Sequence, residues 1–426
     1  MRPAILVLAL AFACGGGPVP GTPGGEAGGG PGDGSGGGGT GGGSGGGGPA
    51  GAGTTSVTFE RGDESGDCAG LLPDRAPAPV AVRRSAPAGA TCVGGTSDGT
   101  GAVAVGVRDG SGATSWQAFS PDGTALAVFA ADAPLLPQPS GWHAVVASGP
   151  QGASAPKVEL LSVSPGGNVA HRETVSPDPS VAVYVRWNLA ADPAGGSLVA
   201  LRSSALAGNH WSSVASQRFD AAGIPLWPGG VKVRIVPSST EPIFLAGGVC
   251  TGGQALVVSQ HSAWLDVSWL DARTGAAIPG SGADQAERSS DVVGDGFPPD
   301  VRLVPLLDGS LAVRAEGTFR RVYPRLATTT APLPAWLADR ASFTFRFTRG
   351  NAGYAAFPPP GQASADCTQR IDLVSPSGRL CGRVVLREDG SSCTTGAVDQ
   401  GWDGTVVQQS GKDGCTHRFW PRLLAR

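Results

Sequence analysis

The feature that most constrains this chain is a short unit of two strands and a tight turn that recurs along it. The clearest copy is Ser115–Phe129. Trp116 and Ala118 fall in its first strand, and Thr124–Phe129 is apolar and strand-like. Between them Ser120-Pro121-Asp122-Gly123 supplies the turn: proline presets φ at the second position, and glycine tolerates the positive φ that follows. Looser copies lie at Ser162–Ala170, Phe219–Leu226, Leu270–Ile278 and Val374–Val384. The intervening sequence is cut by Gly, Pro, Asp and Ser clusters and lacks the 3.6-residue periodicity of an amphipathic helix.

Seven apolar segments follow glycine-containing turns and are predicted as inner strands: Ala102–Val107, His143–Ala147, Leu198–Leu201, Ala255–Val258, Leu311–Val313, Tyr354–Phe357 and Thr405–Val407. They recur every 40–57 residues or so, about the blade period of β-propellers. The chain has 426 residues, 40% of them apolar. A single core stops growing near about 250–300 residues, whereas radial repetition of small sheets escapes that limit and keeps edges short. The predicted fold is therefore all-β, a β-propeller of about seven four-stranded blades, with six to eight compatible with such degenerate repeats. Val57–Glu60 and Val80–Arg83 precede the first full unit, and the last, Gly396–Leu424, lacks an outer strand. The N-terminal strand is expected to pair with that last blade and close the ring. Trp116 and Phe119, Trp211 and Phe219, Trp264 and Trp269, Phe319 and Tyr323, and Phe419 and Trp420 are expected to fill the wedges between blades.

The turn Ser120–Gly123 resembles those of bacterial periplasmic propellers, such as the propeller of the Tol translocation system, and of tryptophan–aspartate repeat proteins. Ser164-Pro165-Gly166-Gly167 and Ser375-Pro376-Ser377-Gly378 share the pattern in part, and Trp402-Asp403 is the one Trp-Asp dipeptide. The resemblance implies a type of fold, not a functional family.

The N-terminus carries a second signal. A short basic start, Met1-Arg2, precedes the apolar run Ala4–Ala13. At about ten residues the run is too short to span a bilayer, which takes about 20, and it matches a secretory signal peptide. It ends Ala11-Phe12-Ala13-Cys14-Gly15, with small Ala13 ahead of a cysteine. This resembles the lipobox of bacterial lipoproteins, although Ala11 stands where leucine is commonest. The resemblance implies lipidation of Cys14, attachment to the membrane through it, and, with Gly15 next, export to the outer membrane. Gly15–Gly53 is almost all glycine with some Pro, Ser and Thr, and reads as a disordered linker. As a flexible coil it spans roughly 35 Å end to end. The expected organisation is a lipoprotein signal peptide with lipidated Cys14 over 1–14, a linker over 15–55 and the propeller over 56–426.

Export places the cysteines in an oxidising compartment, where disulfides form. Of eight cysteines, Cys68, Cys92, Cys367, Cys381, Cys393 and Cys415 are the disulfide candidates. The pairs expected are Cys68–Cys92, Cys367–Cys381 and Cys393–Cys415, with Cys381–Cys393 as a rival. Cys250 is left over and reads as a buried small apolar residue.

A net charge of −3 leaves no electrostatic footprint for nucleic acid. Gly95-Thr96-Ser97-Asp98-Gly99 fits Gly-x-Ser-x-Gly, but a hydrolase elbow needs a buried strand before it and a helix after it, so a loop is expected. None of the five histidines (His143, His171, His210, His261 and His417) forms a His-Glu-x-x-His motif. His143 falls at a strand start and reads as structural rather than as part of a propeller mouth. Asp291, Asp295 and Asp300 lie in a Gly/Pro loop but lack the ligand density of a calcium loop. Arg61-Gly62-Asp63 is discounted as a receptor tripeptide, and the arginines between His417 and Arg426 read as solvated charges on a final strand. The expectation is a monomeric, membrane-tethered, extracytoplasmic binding or scaffold protein. No catalytic residue, metal or cofactor is assigned, and a protein or glycan is expected as ligand at the propeller mouth. Two alternatives stand beside it: a propeller hydrolase cleaving glycans or esters at the central channel, and a passive surface lipoprotein.

Overall fold

A computed structural model describes residues 55–424, apart from 133, 149–156, 176–183, 205–210, 238–244, 262, 280–284, 295–299, 361–366, 389–395 and 411–414. The predicted signal peptide, Cys14 and nearly all of the predicted linker therefore lie outside the described residues, as does Cys393. The chain forms a seven-bladed β-propeller. Two strands precede the first blade, β1 (Thr55–Arg61) and β2 (Val80–Arg83). Blade 1 is β3 (Thr91–Ser97), β4 (Val103–Arg108), β5 (Thr114–Phe119) and β6 (Ala125–Ala130). Blade 2 is β7 (Leu136–Pro137), β8 (Trp142–Ser148), β9 (Lys157–Val163) and β10 (Val169–Val175). Blade 3 is β11 (Tyr184–Ala191), β12 (Ser197–Ser204), β13 (Trp211–Phe219) and β14 (Val231–Pro237). Blade 4 is β15 (Leu245–Val249), β16 (Gln254–His261), β17 (Trp264–Asp271) and β18 (Gln285–Arg288). Blade 5 has three strands, β19 (Val301–Pro305), β20 (Leu311–Ala315) and β21 (Thr318–Tyr323), plus an isolated bridge from Val322 to Ala331. Blade 6 is β22 (Thr344–Phe347), β23 (Tyr354–Phe357), β24 (Thr368–Val374) and β25 (Leu380–Glu388). Blade 7 is β26 (Val398–Gln400), β27 (Val406–Ser410) and β28 (Thr416–Trp420).

The ring closes as expected, and with an addition. β2 pairs antiparallel with β28 and supplies the missing outer strand of blade 7. β1 pairs with β25 and becomes a fifth strand of blade 6. The N-terminal segment thus grips two blades.

Seven apolar clusters lie one at each junction between neighbouring blades. The seventh, at the seam, joins Val82 and Phe419 to Val103, Val105 and Phe119. The second strand of each blade feeds the clusters on both sides. In β16, Ala255 and Val257 pack toward blade 3 while Leu256 and Val258 pack toward blade 5. A strand buried on both faces reads as a continuous apolar run. This corrects one expectation: the seven segments predicted as inner strands fall on β4, β8, β12, β16, β20, β23 and β27, the second strands. The innermost strands lie one position earlier in each sheet, with their inner edge on the channel, and only β15 of blade 4 is likewise apolar and buried throughout. The third strands supply most of the wedge aromatics: Trp116, Phe119, Phe219, Trp269, Phe319, Tyr323, Phe419 and Trp420 are each 4% exposed or less. Trp264 is only half-buried, beneath the Arg288 guanidinium, and the Trp211 side chain lies outside the described set.

The turn at Ser120–Gly123 forms as read, with the Gly123 N–H donating to the Ser120 carbonyl at 2.8 Å and φ of 88° at the glycine. A Cβ there would also sit 2.9 Å from Val80 of β2, so the same glycine makes room for the closing strand.

The cysteine pairing differs from the expectation. Cys68 bonds Cys381 and Cys92 bonds Cys415, across 313 and 323 residues. Cys68–Cys92 and Cys393–Cys415 are therefore excluded, as are both pairings offered for Cys381. Nearest-neighbour reasoning failed because ring closure brings the two chain ends together. Cys68–Cys381 pins the segment after β1 at the face that carries the first-to-second and third-to-fourth strand turns. Cys92–Cys415 crosses from blade 1 to blade 7 at the opposite face, so one staple holds the N-terminal segment to blade 6 and the other holds the seam. Cys367 is also disulfide-bonded. Cys250 is a buried free thiol that burial pushes up to about 12, which leaves it inert as read.

Candidate functional site

The innermost strands surround a cavity of about 590 Å³ on the propeller axis. All seven blades contribute to it. Blades 1 to 4 present mostly small or apolar residues, among them Gly94, Leu136, Leu189, Ala190 and Gly247. Blades 5 to 7 present Arg302, Arg346, Asp399 and Gln400. The cavity therefore has an apolar sector and a charged one.

The charged sector is held across a blade junction. Arg346 of β22 donates from Nη2 to Asp399 Oδ2 of β26 at 2.7 Å. Asp399 Oδ1 accepts the Gln400 N–H at 2.8 Å. Gln400 reaches back, donating from Nε2 to the Phe347 carbonyl at 2.8 Å, which sets the orientation of its amide. Its Oε1 is buried and has no hydrogen-bond partner among the described residues. Burial pushes the Asp399 carboxyl up, while the Arg346 and Arg314 guanidiniums pull it back down. Arg314 of β20 donates to Thr344 Oγ1 of β22 at 3.2 Å, and Arg302 of β19 donates from Nε to Asp300 Oδ1 at 3.0 Å.

Two further carboxylates, Asp192 and Asp403, border the cavity. Both are engaged in turns between first and second strands. Asp192 accepts Arg218 Nε at 2.7 Å and the Ala194 N–H at 2.9 Å. Asp403 accepts the Thr405 N–H and hydroxyl and, at 3.3 Å, the Ser97 hydroxyl.

The motifs singled out in the sequence resolve into structure. Ser97 is fully buried, and Asp98 receives the N–H groups of Thr100, Ala102 and Gly141. The glycines of that motif answer to close approach: a Cβ at Gly99 would lie 2.3 Å from the Pro139 carbonyl oxygen, and one at Gly95 2.8 Å from the His417 ring. No helix follows; the expected loop is corrected in part, since Gly95–Ser97 end strand β3 and only Asp98 and Gly99 enter the turn to β4. Arg61 pairs with Glu64 and Asp74, and Asp63 with Arg379, so the tripeptide is committed internally. Asp291 lies in a five-residue helix, Asp300 serves Arg302, and Asp295 lies outside the described residues.

His143 is 0% exposed on β8, away from the channel lining, with Nδ1 3.1 Å from Ser197 Oγ of blade 3. Burial, partly opposed by the Ala221 backbone and the Asp220 charge, pushes its imidazole down to about 4 from the ordinary 6.5. The folded state thus holds His143 neutral while the unfolded chain protonates it at higher pH. Stability is complete above pH 6.5 and is lost as pH falls toward 4, by about 3 kcal/mol from this one group. Urea unfolding of wild type and His143→Gln at pH 7 and pH 4.5 checks this: the acid-induced loss is expected to shrink by about 2 kcal/mol in the variant. An unchanged pH dependence would rule the histidine out.

The sequence reading did not reach the channel residues. They sit on short strands, one each, far apart along the chain, and share no local motif. Only the alternative that placed a hydrolase site at the central channel pointed toward them.

No family model matches this chain, and no curated protein does. Solved structures do. An ulvan lyase of polysaccharide lyase family PL25, bound to its oligosaccharide, has a TM-score of 0.40 at 10% identity, covering 83% of this chain and 96% of that one. Prolyl oligopeptidase B from Galerina marginata gives 0.40 at 10% identity, over 75% of this chain and 46% of that one. The Dos1 propeller gives 0.36 at 10% identity, over 76% and 75%. Such distant likeness concerns the fold and carries no argument about activity.

Proposed function

We propose that this protein is an extracytoplasmic binding or scaffold protein, tethered to the membrane through lipidated Cys14 and binding its ligand in the central channel. The observation that carries the reading is the channel itself, a two-sided cavity of about 590 Å³, within the range of small-molecule sites. Hydrolysis of a glycan needs two working carboxylates flanking the bond. Here Asp192 and Asp403 are taken up by turns, which leaves Asp399, itself paired with Arg346. That supports binding over cleavage. The two long-range disulfides support an oxidising, exported location.

Two measurements test the two halves. Metabolic palmitate labelling is expected in the wild type and lost in Cys14→Ala; persistent labelling would remove the anchor. For the channel, Thr96→Trp places an indole in the cavity, since Thr96 shares a strand face with Gly94, beside which a Cβ would meet nothing within 4 Å. A ligand present at 100 times its Kd stabilises the wild type by about 2.7 kcal/mol. That gain is expected to vanish in Thr96→Trp across a panel of peptides, sugars and organic acids. Ligands that stabilise both proteins equally would place the site elsewhere.

A further inference from the structure

The N-terminal segment holds the head in two places, and the two holds are unequal. β1 lies on blade 6, which already has four strands of its own, and pairs with β25 over the seven residues Thr55–Arg61. The chain then stays on that blade. The Gly62 N–H donates to the Cys381 carbonyl at 3.2 Å, Arg379 pairs with Asp63 at 2.6 Å and also with Asp67, and Cys68 is bonded to Cys381. Leu72 ends this stretch, buried in the cluster between blades 6 and 7. β2, by contrast, pairs with β28 over only the four residues Val80–Arg83, and those four close the ring.

The order of these holds along the chain decides what each can do. Any load on the residues ahead of Thr55 enters at β1 and meets Cys68 before it reaches Val80. A ladder peels from its loaded end, and ion pairs as exposed as Arg379–Asp63 resist little. Cys68–Cys381 is covalent, so peeling stops there. The load then passes into β25, which is paired on its other side with β24 from Thr368 to Val374. We infer that residues 55–72 are a strain relief: load on the N-terminal extension ends in blade 6 through Cys68–Cys381, and the closing strand β2 stays unloaded. Ring closure by itself needs only β2, and blade 6 is complete without β1. What β1 and its staple add is a hold placed upstream of the closing strand. The inference takes one thing from the proposed function, the tether at Cys14 as the source of load.

Single-molecule pulling on the oxidised full chain tests it. A peptide tag inserted between β8 and β9 of blade 2 fixes the head, and force is applied through the N-terminal extension. The first release in the wild type is expected to stop at Cys68, which frees at most about 45 Å of extended chain from Thr55. In Cys68→Ser/Cys381→Ser the next stop is the Cys92–Cys415 staple, so the release is expected to lengthen by about 80 Å, with β2 stripped from blade 7. Should that variant fail to fold, Cys92→Ser/Cys415→Ser keeps the hold on blade 6 and is expected to give the wild-type first release. Equal first releases in wild type and Cys68→Ser/Cys381→Ser would overturn the inference. So would a first release longer than Thr55–Cys68 in wild type or in Cys92→Ser/Cys415→Ser, since the load would then have reached the ring. Failure of the tether is read separately: palmitate labelling that persists in Cys14→Ala removes the membrane as the source of load, whereas the release lengths report on the hold alone.

Discussion

Replacing Cys92 and Cys415 together by serine is expected to lower the stability of the head by about 2–5 kcal/mol, the largest loss we foresee from removing a single cross-link. This staple joins β3 of the first blade to the residue just before β28 of the last, and it closes a loop of 323 residues. A propeller is held shut only where its two ends meet, and here that junction rests on four pairs of β2 with β28, one apolar cluster and the hydrogen bonds of Ser97 with Trp402 and Asp403. Cutting the staple restores to the unfolded chain the freedom that the loop removed, and leaves the seam as the weakest blade junction. Guanidinium unfolding under non-reducing conditions measures the effect as a lowered midpoint, and a midpoint equal to that of the wild type would refute it. The two staples overlap, each closing a loop that contains one cysteine of the other. With Cys92–Cys415 intact, Cys68–Cys381 closes only the shorter path of 24 positions from Cys68 to Cys92 and 34 from Cys381 to Cys415. Its loss is expected to cost less, and the two losses are not expected to add.

The second large effect concerns a charge pair that stitches blade 3 to blade 4. Asp192 is 1% exposed, and Arg218 meets it from β13 while donating from Nη1 to the Ala272 carbonyl at 2.5 Å in the next blade. Arg218→Met strands a buried carboxylate in a turn, which costs about 3–5 kcal/mol. The double variant Asp192→Asn/Arg218→Met removes the charge as well, and is expected to recover more than half of that loss. Equal midpoints for the single and double variants would show that the pair is not what holds this junction.

Much of the fold was legible because it is written in short-range terms. The Ser120–Gly123 turn, the seven apolar runs and the third-strand aromatics each answer to a local rule, whether φ at a glycine or burial on two faces. Their spacing then implied repetition around an axis. The places where the reading failed are those where remote segments meet. The apolar runs were placed one strand too far inward, because continuous burial marks the strand between two neighbours rather than the one at the channel. Cysteines were paired with sequence neighbours, because nothing local reveals that Cys68 lies against Cys381 or Cys92 against Cys415.

The channel is the extreme of that second kind. Arg302, Arg346, Asp399 and Gln400 come from three separate sheets, and each alone is an unremarkable polar residue on a short strand. Turn chemistry and alternating burial act over a few residues, so the sequence by itself determined the blade, its repetition and the need for a closing strand. The charge pairing of Arg346 with Asp399, the orphaned acceptor on Gln400 and the two long-range disulfides depend on which strands become neighbours in space. Only the closed ring decides that, because closure is a property of all seven junctions at once.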